Sequence, residues 1–383
     1  MQAILMLLLT LKVGPEALPS APVRFVVDGP LAACSVLEVR SQDGNLVGYA
    51  QRDGKEFVFI APALEASQEA TYTLTEAKDY PVRVLLSMAD HKIDVRVDGA
   101  LFTSYNYQPD QPKPYLYPVI IGDGLHLTRA YPMENVETEG EKVRDHVHHT
   151  SWWVAYGEVN ESNFWMAQGD HGQQKPREIL EVVSGPVFGK FRAVNDWNRP
   201  DGVREIQEER EYIFYAQESS DRLTDMRVTF SAVDHDIVFH DTKEGGICSL
   251  RMNPLIDEEH GNGRMANSEG KATEAECWGK PASWCDYSGS LNGQNVGIAV
   301  LDHPANLRHP SRWHIRAYGL YTANPFGLKA FGEQESGDYS LPKGQDLTFN
   351  YRVLMHLGNT EEARIGSQYS AYATPPSAAV KVK

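Results

Sequence analysis

One ten-residue segment carries most of the side chains that could do chemistry. The segment "RDHVHHTSWW", residues 144–153, holds three histidines, an aspartate, an arginine and two tryptophans. Read as a β-strand, it places His146, His148 and Trp152 on one face, with the two imidazoles about 7 Å apart. That spacing suits two ligands of one metal ion or two groups that flank one substrate. The alternative is that each imidazole only hydrogen-bonds a carbonyl or carboxylate. Clustering with tryptophan favours a functional site.

A second candidate is the segment "FHDTKEGG", residues 239–246. Strand alternation places His240 and Glu244 on one face and Lys243 on the other. Glu244 precedes two glycines, where a strand ends and backbone approaches closely, and working carboxylates are common at such places. The alternative is an exposed strand end at which Lys243 and Glu244 neutralise each other. For this segment taken alone, the alternative is favoured.

A third candidate is the tryptophan-rich segment "ECWGKPASWCDYSG", residues 276–289. It brings Trp278, Lys280 and Trp284 into a loop-like setting. Aromatic planes stack on the apolar faces of pyranose rings, and charged side chains bind the hydroxyls. Because exposing tryptophan is costly, such a loop indicates a concave binding surface. Packing of both tryptophans into the core is an equally good interpretation.

The fourth candidate is "LDHPANLRHPSRWHIRAYGLYTANPFG", residues 301–327. His314, Arg316 and Tyr318 alternate onto one strand face, and Asn306 lies in the turn-rich loop before them. Arg316 could hold a carboxylate or an anionic intermediate, and His314 could transfer a proton near neutral pH. The alternative is an inter-sheet hydrogen-bond network. Recurrence of the residue types of the histidine segment favours function.

Short segments rich in Val, Ile, Phe, Tyr and Thr recur between Gly, Asp and Pro turns. Strands are therefore the elements predicted to position these residues. Residues 1–110 predict a small antiparallel β-sandwich, and the four prolines from Pro109 to Pro118 mark its end. Residues 111–370 predict a second all-β domain with two large antiparallel sheets, and residues 371–383 a flexible tail. The segment 205–211 is charged enough to start a short helix.

Composition excludes several classes of function. The 383 residues carry a formal net charge of -16, which argues against nucleic acid as a partner. No apolar run is long enough to predict a membrane span, and no motif predicts a nucleotide cofactor.

The termini and cysteines leave alternatives open. The N-terminal apolar stretch is either a signal segment or a strand over residues 8–13; the strand is favoured, and with it a cytoplasmic protein over a periplasmic or secreted one. The four cysteines either include a Cys277–Cys285 bridge or, as is favoured, remain free thiols.

The four segments in order, together with "KPYLYPVI", resemble the PmoA-like proteins, a largely uncharacterised bacterial family. The resemblance implies a sugar-binding β-supersandwich similar in build to galactose mutarotases, with a role in carbohydrate metabolism. The inherited label of methane oxygenase does not fit a chain without a predicted membrane span. The chain departs from the family at Val147, Thr150 and Tyr156. The residues carried over by the resemblance are Asp145, His146, His148, His149, Glu244, Trp284, Asn306, His314 and Arg316.

These observations predict a carbohydrate-active enzyme, of the epimerase, lyase or hydrolase type, that works by acid–base catalysis. His146 and His148 would serve as proton donor and acceptor, with Glu244 as partner base, while His314 and Arg316 would stabilise an oxyanion or enolate. The substrate, a small molecule or an oligosaccharide, would be bound by Asp145, His149, Trp152, Lys243, Trp278, Lys280, Trp284, Asn306 and Tyr318. One alternative is a carbohydrate-binding protein without catalysis. Another is an enzyme with a divalent metal held by His146 and His148.

Overall fold

The computed structural model describes residues 6–217 and 219–382, which are nearly all β. The strands are β1 (Leu7–Lys12), β2 (Ala21–Val26), β3 (Val36–Arg40), β4 (Leu46–Asp53), β5 (Glu56–Ala61), β6 (Glu69–Glu76), β7 (Val84–Ala89), β8 (Lys92–Val97), β9 (Ala100–Asn106), β10 (Tyr115–Ile121), β11 (Leu125–His126), β12 (Trp152–Tyr156), β13 (Gln173–Val183), β14 (Phe188–Asn198), β15 (Arg204–Tyr215), β16 (Arg222–Ser231), β17 (Ile237–Phe239), β18 (Gly245–Arg251), β19 (Arg264–Asn267), β20 (Trp284–Leu291), β21 (Gln294–Asp302), β22 (Arg312–Ile315), β23 (Leu320–Asn324), β24 (Tyr339–Leu341), β25 (Asp346–Leu357) and β26 (Ser377–Val382). The α-helices are α1 (Glu274–Cys277) and α2 (Ile365–Ala373), and the 3-10 helices are Pro30–Ala33, Glu137–Glu139, Glu141–Val143, Pro254–Ile256 and Lys329–Phe331.

The N-terminal residues form one antiparallel sheet in the order β2-β5-β4-β3-β6-β1-β26. Its first strand, LLLTLK, buries Leu7, Leu9 and Leu11 on one face, which is the alternation that makes a half-buried strand. This strand confirms the one predicted over residues 8–13, shifted by one residue. The sheet encloses its own apolar core.

The C-terminal segment forms regular structure where a flexible tail was predicted. Helix α2 leads into β26, which pairs with β1 from Ser377 to Val382. An unpaired edge would leave a row of unsatisfied backbone groups, so β26 caps β1 by supplying their partners.

Two larger sheets pack face to face and form the main body, as the all-β prediction of a two-sheet sandwich required. The nine-stranded sheet runs β22-β23-β18-β12-β10-β9-β8-β7, with β11 beside β10, and the eight-stranded sheet runs β13-β14-β15-β16-β25-β21-β20-β19. Side chains of both sheets meet between them, as where Trp152 and Tyr212 contact edge to face with ring centroids 5.5 Å apart.

Strands β7–β9 belong to the nine-stranded sheet, although they were predicted within the N-terminal sandwich. Val84, Val95 and Phe102 are buried in the core between the two large sheets, and β9 pairs with β10. The proline-rich segment therefore connects neighbouring strands of one sheet. These strands belong to the nine-stranded sheet because their apolar face is buried there, in the core between the two large sheets.

The charged segment 205–211 is part of strand β15 and not a helix, so that prediction was wrong. Ile206, Glu208, Arg210 and Tyr212 alternate inward and are buried. Glu208 and Arg210 form an ion pair with no exposed side-chain area, and the Trp197 indole N–H donates to Glu208. In the sequence, buried charged residues of this kind cannot be distinguished from those of a solvent-exposed helix.

The nine-stranded sheet also has an outer face, turned away from the main core. On β12, Trp153 and Ala155 occupy this face and pack with Trp165 and Leu320 in a separate cluster. Loops cover this outer face, and the candidate site lies there. None of the helices in the described residues has the length and apolarity that a membrane crossing needs. All four cysteines are free thiols, as favoured.

Candidate functional site

The histidine segment is a loop up to Ser151, and the strand begins only at Trp152. His146 and Ser151 adopt φ values of 41° and 64°, in the left-handed region that non-glycine residues seldom occupy. The His149 N–H donates to the His146 carbonyl at 2.9 Å and closes the turn. Strand alternation therefore does not apply to residues 144–151, and the prediction that Trp152 shares a face with His146 was wrong.

Four rings from this segment and from the loop before β23 form what we call the ring stack: Trp153, His149, His146 and Tyr318. The centroids of His146 and His149 are 4.8 Å apart with planes 1° from parallel. Tyr318 stacks on His146 at 5.1 Å, and Trp153 stacks on His149 at 5.3 Å. His148 meets His146 edge-on at 5.6 Å. The turn thus brings all three histidines together, which strand alternation would not do for the neighbouring His148 and His149.

Asp145 and His146 form a hydrogen-bonded pair at the surface end of the stack. The His146 Nδ1 lies 2.5 Å from Asp145 Oδ2, and its side chain is 39% exposed. Because a carboxylate only accepts, Nδ1 carries a proton, and in the neutral imidazole Nε2 then presents a lone pair. Nε2 makes no hydrogen bond within the described part of the chain. The pair therefore has the arrangement of an oriented general base.

Two buried arginines hold Asp145 in place. Its Oδ1 accepts from Arg129 Nη1 at 2.6 Å and from Arg251 Nη2 at 2.8 Å. Arg129 also donates to the carbonyls of Val143 and His146, so the same guanidinium fixes the loop. Burial alone would raise the pKa of Asp145, but the His146 hydrogen bond and the two guanidinium charges hold this pKa well below its usual range.

Arg129 and Arg251 were not predicted as site residues, although the sequence carries a signal for Arg251. Arg251 follows an apolar strand in "GGICSLRM", and charged residues in such strands are buried only when they are paired. The Arg251 Nη1 donates to His149 Nδ1 at 3.0 Å, and its guanidinium lies 4.6 Å from the Tyr318 ring centroid. Arg251 therefore ties the aspartate to the ring stack.

His148 and His149 are neutral near pH 7. Burial, aided by Lys113 and the neighbouring positive groups, lowers the pKa of His148 to about 3. Burial and the Arg251 charge lower the pKa of His149 well below its usual value. Neither imidazole can therefore supply a proton near pH 7. The predicted proton-transfer role of His148 does not fit its surroundings, whereas His146 remains exposed and oriented.

Arg316, Tyr318 and Glu244 border His146. The Arg316 guanidinium lies 5.4 Å from the Tyr318 ring centroid and its Nε lies 3.0 Å from Glu274 Oε1. Burial raises the pKa of Tyr318 to about 12, with Glu244 close enough to add to the shift, while Arg316 opposes it. The Tyr318 hydroxyl is therefore a neutral donor beside a cation and a carboxylate.

His314 and Trp278 form a neighbouring group. His314 is 2% exposed, and neither ring nitrogen has a hydrogen-bond partner within the described residues. Burial, with the charges of Arg316 and Lys243, lowers the pKa of His314 to about 3. The Trp278 ring meets the His314 ring at 6.4 Å, and Lys243 Nζ lies 3.6 Å from Glu244 Oε1. His146 also affects the His314 pKa, so the two groups share one electrostatic environment.

Four predicted site residues lie elsewhere. Trp152 is fully buried in the main core. Trp284 packs with residues of α2 beside the eight-stranded sheet. Asn306 is buried, with its amide donating to Asp302 Oδ1 at 2.7 Å, which makes it a structural tether. The Lys280 side chain is exposed and makes no hydrogen bond or ion pair within residues 6–217 and 219–382.

The metal alternative depends on which ligand atoms converge and are free. No three His, Cys, Asp or Glu side chains converge as a metal site among the residues that the structure describes. The Nδ1 of His146 is occupied by Asp145 and the Nδ1 of His149 by Arg251. The groups available for chemistry in the ring stack are thus the Nε2 of His146 and its polar neighbours.

Similarity to known proteins gives a family but no activity. No curated protein matches the chain. Two solved structures are similar: a protein in the Glycosyl Hydrolase Family 38 from Enterococcus faecalis and an alpha-mannosidase from Enterococcus faecalis V583. Each has a TM-score of 0.43 and 10% sequence identity, and the match covers 98% of this chain but 47% and 46% of those chains. The chain thus spans about half of their length, and at this TM-score the likeness carries no functional argument.

One protein family, by contrast, matches most of the chain. It covers residues 92–370, from β8 through α2, and so includes every residue of the ring stack. Its description assigns no activity and neither supports nor opposes the resemblance to PmoA-like proteins. The chain belongs to DUF6807, a family of unknown function.

Proposed function

We propose that this protein is an enzyme that moves protons on a carbohydrate, with His146 as the group that takes and returns the proton. The Asp145–His146 pair carries the proposal, because its 2.5 Å hydrogen bond fixes the tautomer and leaves Nε2 open. When Nε2 accepts a proton, the carboxylate stabilises the imidazolium that forms. Arg129 and Arg251 keep this carboxylate ionised and correctly placed.

The neighbouring groups complete such a reaction. Arg316, 31% exposed, can stabilise negative charge that develops on a substrate oxygen. The neutral His314 has two unpartnered ring nitrogens, one able to donate and one to accept, and can bind a hydroxyl without changing its charge. Glu244 can accept hydroxyl hydrogen bonds. The site therefore offers one base, one cation and several polar contacts.

A sugar fits these surroundings because it joins many hydroxyls to apolar ring faces. Tyr318 and Trp278 supply aromatic surface, while Lys243, Glu244 and Arg316 supply donors and acceptors. A single oriented base near neutral pH suits proton transfer at an anomeric hydroxyl or beside a carbonyl. Epimerase and lyase types therefore fit better than a glycosidase, which needs two carboxylates at a set separation.

Hydrogen exchange tests the proposal. The protein would be incubated in D2O with a panel of reducing aldoses and ketoses, and NMR would follow both anomer interconversion and exchange of the hydrogen beside the carbonyl. We expect His146→Ala to slow the affected step by about 10²–10⁴-fold. His235→Ala is the matched control, because His235 also pairs with a carboxylate, Glu205 at 2.6 Å, and is also 39% exposed.

Two outcomes would count against the proposal. Turnover that persists unchanged in His146→Ala would remove His146 from the chemistry. Sugars that bind the wild-type protein without exchange or interconversion would instead indicate a carbohydrate-binding protein without catalysis.

A further inference from the structure

One lysine is buried without an acid to neutralise it. Lys113, which lies just before β10, is 2% exposed. Its Nζ donates to the Trp165 carbonyl at 2.9 Å and forms no ion pair within the described residues. An ammonium has three donors, so two of them lack a partner. Because burying an unpaired charge is costly, this lysine is a poor stabilising residue and needs another explanation.

Lys113 lines a cavity of about 270 Å³ on the far side of the histidine loop. Two other polar groups of the lining are unsatisfied: the Thr150 hydroxyl and the Gln111 side-chain oxygen are buried without hydrogen-bond partners. The Gln111 amide nitrogen is used, since it donates to the Tyr115 hydroxyl at 3.1 Å. The remaining walls are mainly apolar and come from Pro112, Pro132, Met133, Val147 and Ala167.

We propose that this cavity binds a small carboxylate that also carries a hydroxyl group, with Lys113 as its counter-ion. The carboxylate accepts from the Lys113 ammonium and the Thr150 hydroxyl, and the ligand hydroxyl donates to Gln111. All three unsatisfied groups are then paired, while Met133 and the prolines contact the carbon chain. The chain as a whole carries a net charge of -16, so an anion needs a local cation of this kind. The proposal does not rest on the acid–base role of His146.

Lys113 is also the group at this cavity that titrates near neutral pH. Burial lowers the pKa of Lys113 to about 7. Of the titratable groups beside it, His148 has a pKa of about 3 and stays neutral, and burial raises the pKa of Tyr115, which also stays neutral. A bound carboxylate favours the ammonium form. Carboxylate binding should therefore weaken as the pH rises through the pKa of Lys113 and should be accompanied by proton uptake.

Ligand-observed NMR with glycolate tests the proposal, with the full-length protein and three probes. Glycolate carries both the charge and the hydroxyl, acetate lacks the hydroxyl, and glycolamide lacks the charge. We expect glycolate to bind more tightly than either. Lys113→Met should weaken glycolate binding at least tenfold, and Thr150→Val should weaken it several-fold. Lys175→Met is the matched control, because Lys175 also donates to one carbonyl, that of Pro109 at 2.7 Å, but this hydrogen bond is exposed and Lys175 lies outside the cavity.

The outcomes separate this proposal from simpler explanations. Circular dichroism checks that Lys113→Met folds, and Thr150→Val, which conserves shape, gives a second reading if it does not. Equal binding of glycolate and glycolamide, or glycolate binding that is unaffected by both cavity substitutions, would overturn the proposal. So would affinity that does not fall as the pH is raised from about 6 to about 9. Loss of sugar turnover in His146→Ala would leave this result untouched.

Discussion

Two aspartate–histidine pairs lie on opposite sides of the main body and differ in what surrounds them. In the loop pair, His146 is 39% exposed and its Nε2 is open. In the strand pair, His356 on β25 is fully buried: Nε2 lies 3.0 Å from Asp286 and Nδ1 lies 3.4 Å from the Leu357 carbonyl. Both nitrogens of His356 face acceptors, so neither is open to a substrate. The loop pair leaves one ring nitrogen open, and the strand pair does not.

The difference shows that position in the fold decides what an aspartate–histidine pair does. Burial alone would lower the pKa of His356, but the buried charge and hydrogen bond of Asp286 outweigh it and raise this pKa. Around the loop pair, burial and the neighbouring positive charges lower the pKa values of His148 and His149. The surroundings therefore favour a proton on His356 and disfavour one on His148 and His149.

The largest effect on stability should come from removing the acid of the strand pair. Asp286→Ala removes the carboxylate that pairs with the buried His356 Nε2, and we expect the free energy of unfolding to fall by about 3–5 kcal/mol. Urea denaturation followed by tryptophan fluorescence measures this loss. Asp286→Asn, which keeps a hydrogen-bond acceptor, should lose less. If Asp286→Ala lost under about 1 kcal/mol, the strand pair would not be the structural element that the comparison requires.

Sequence reasoning predicted much of the fold because alternation survives in most strands. Leu7, Leu9 and Leu11 alternate along β1, the strand that was favoured over a signal segment. The prediction failed in β15, because the charged residues Glu208 and Arg210 suggest solvent exposure but occupy inward positions. Two opposite charges two residues apart can neutralise each other inside a core, and a sequence pattern does not reveal which charges are buried. The sheet to which β7–β9 belong was missed because both candidate sheets would accept the same alternating pattern.

Within the candidate site, residue types were predicted better than geometry. The pattern of residues 144–153 indicated a cluster, and Asp145, His146, His148 and His149 do converge. The pattern could not show that His146 and Ser151 adopt positive φ values, which turn the segment into a loop. Nor could it single out Arg129, because its burial depends on carbonyls and a carboxylate from a segment more than a dozen residues away.

Lowering the pH should destabilise the protein through His148. The expected loss of unfolding free energy is smaller than that of Asp286→Ala. His148 has a pKa of about 3 in the folded chain and about 6.5 when unfolded. Below pH 6.5 the unfolded chain therefore takes up a proton that the folded chain excludes. Between about pH 7 and about pH 5 this one group should cost about 2 kcal/mol. His148→Gln should lose about 2 kcal/mol less over that interval in the same denaturation assay.

His356 provides the opposite sign and hence the control. Because its folded pKa is raised, its contribution to stability is complete below the unfolded pKa and is lost as the pH rises through the folded pKa. His356→Gln should therefore lose at least as much stability as the wild type between about pH 7 and about pH 5. If His148→Gln followed the wild-type curve instead, His148 would not be held neutral and the contrast between the two regions would be weaker.

The smallest effect on stability is expected at the residue with the largest expected effect on turnover. His146→Ala removes an exposed ring but leaves Asp145 paired with Arg129 and Arg251, so no buried charge loses its partner. We expect the free energy of unfolding to change by under about 1 kcal/mol, measured beside Asp286→Ala. A loss as large as that of Asp286→Ala would mean that His146 fixes the loop. The reduced turnover of the variant would then result from misplacement of Asp145 and Tyr318. Only if the His146→Ala protein is stable can the proton-transfer role be inferred from its kinetics.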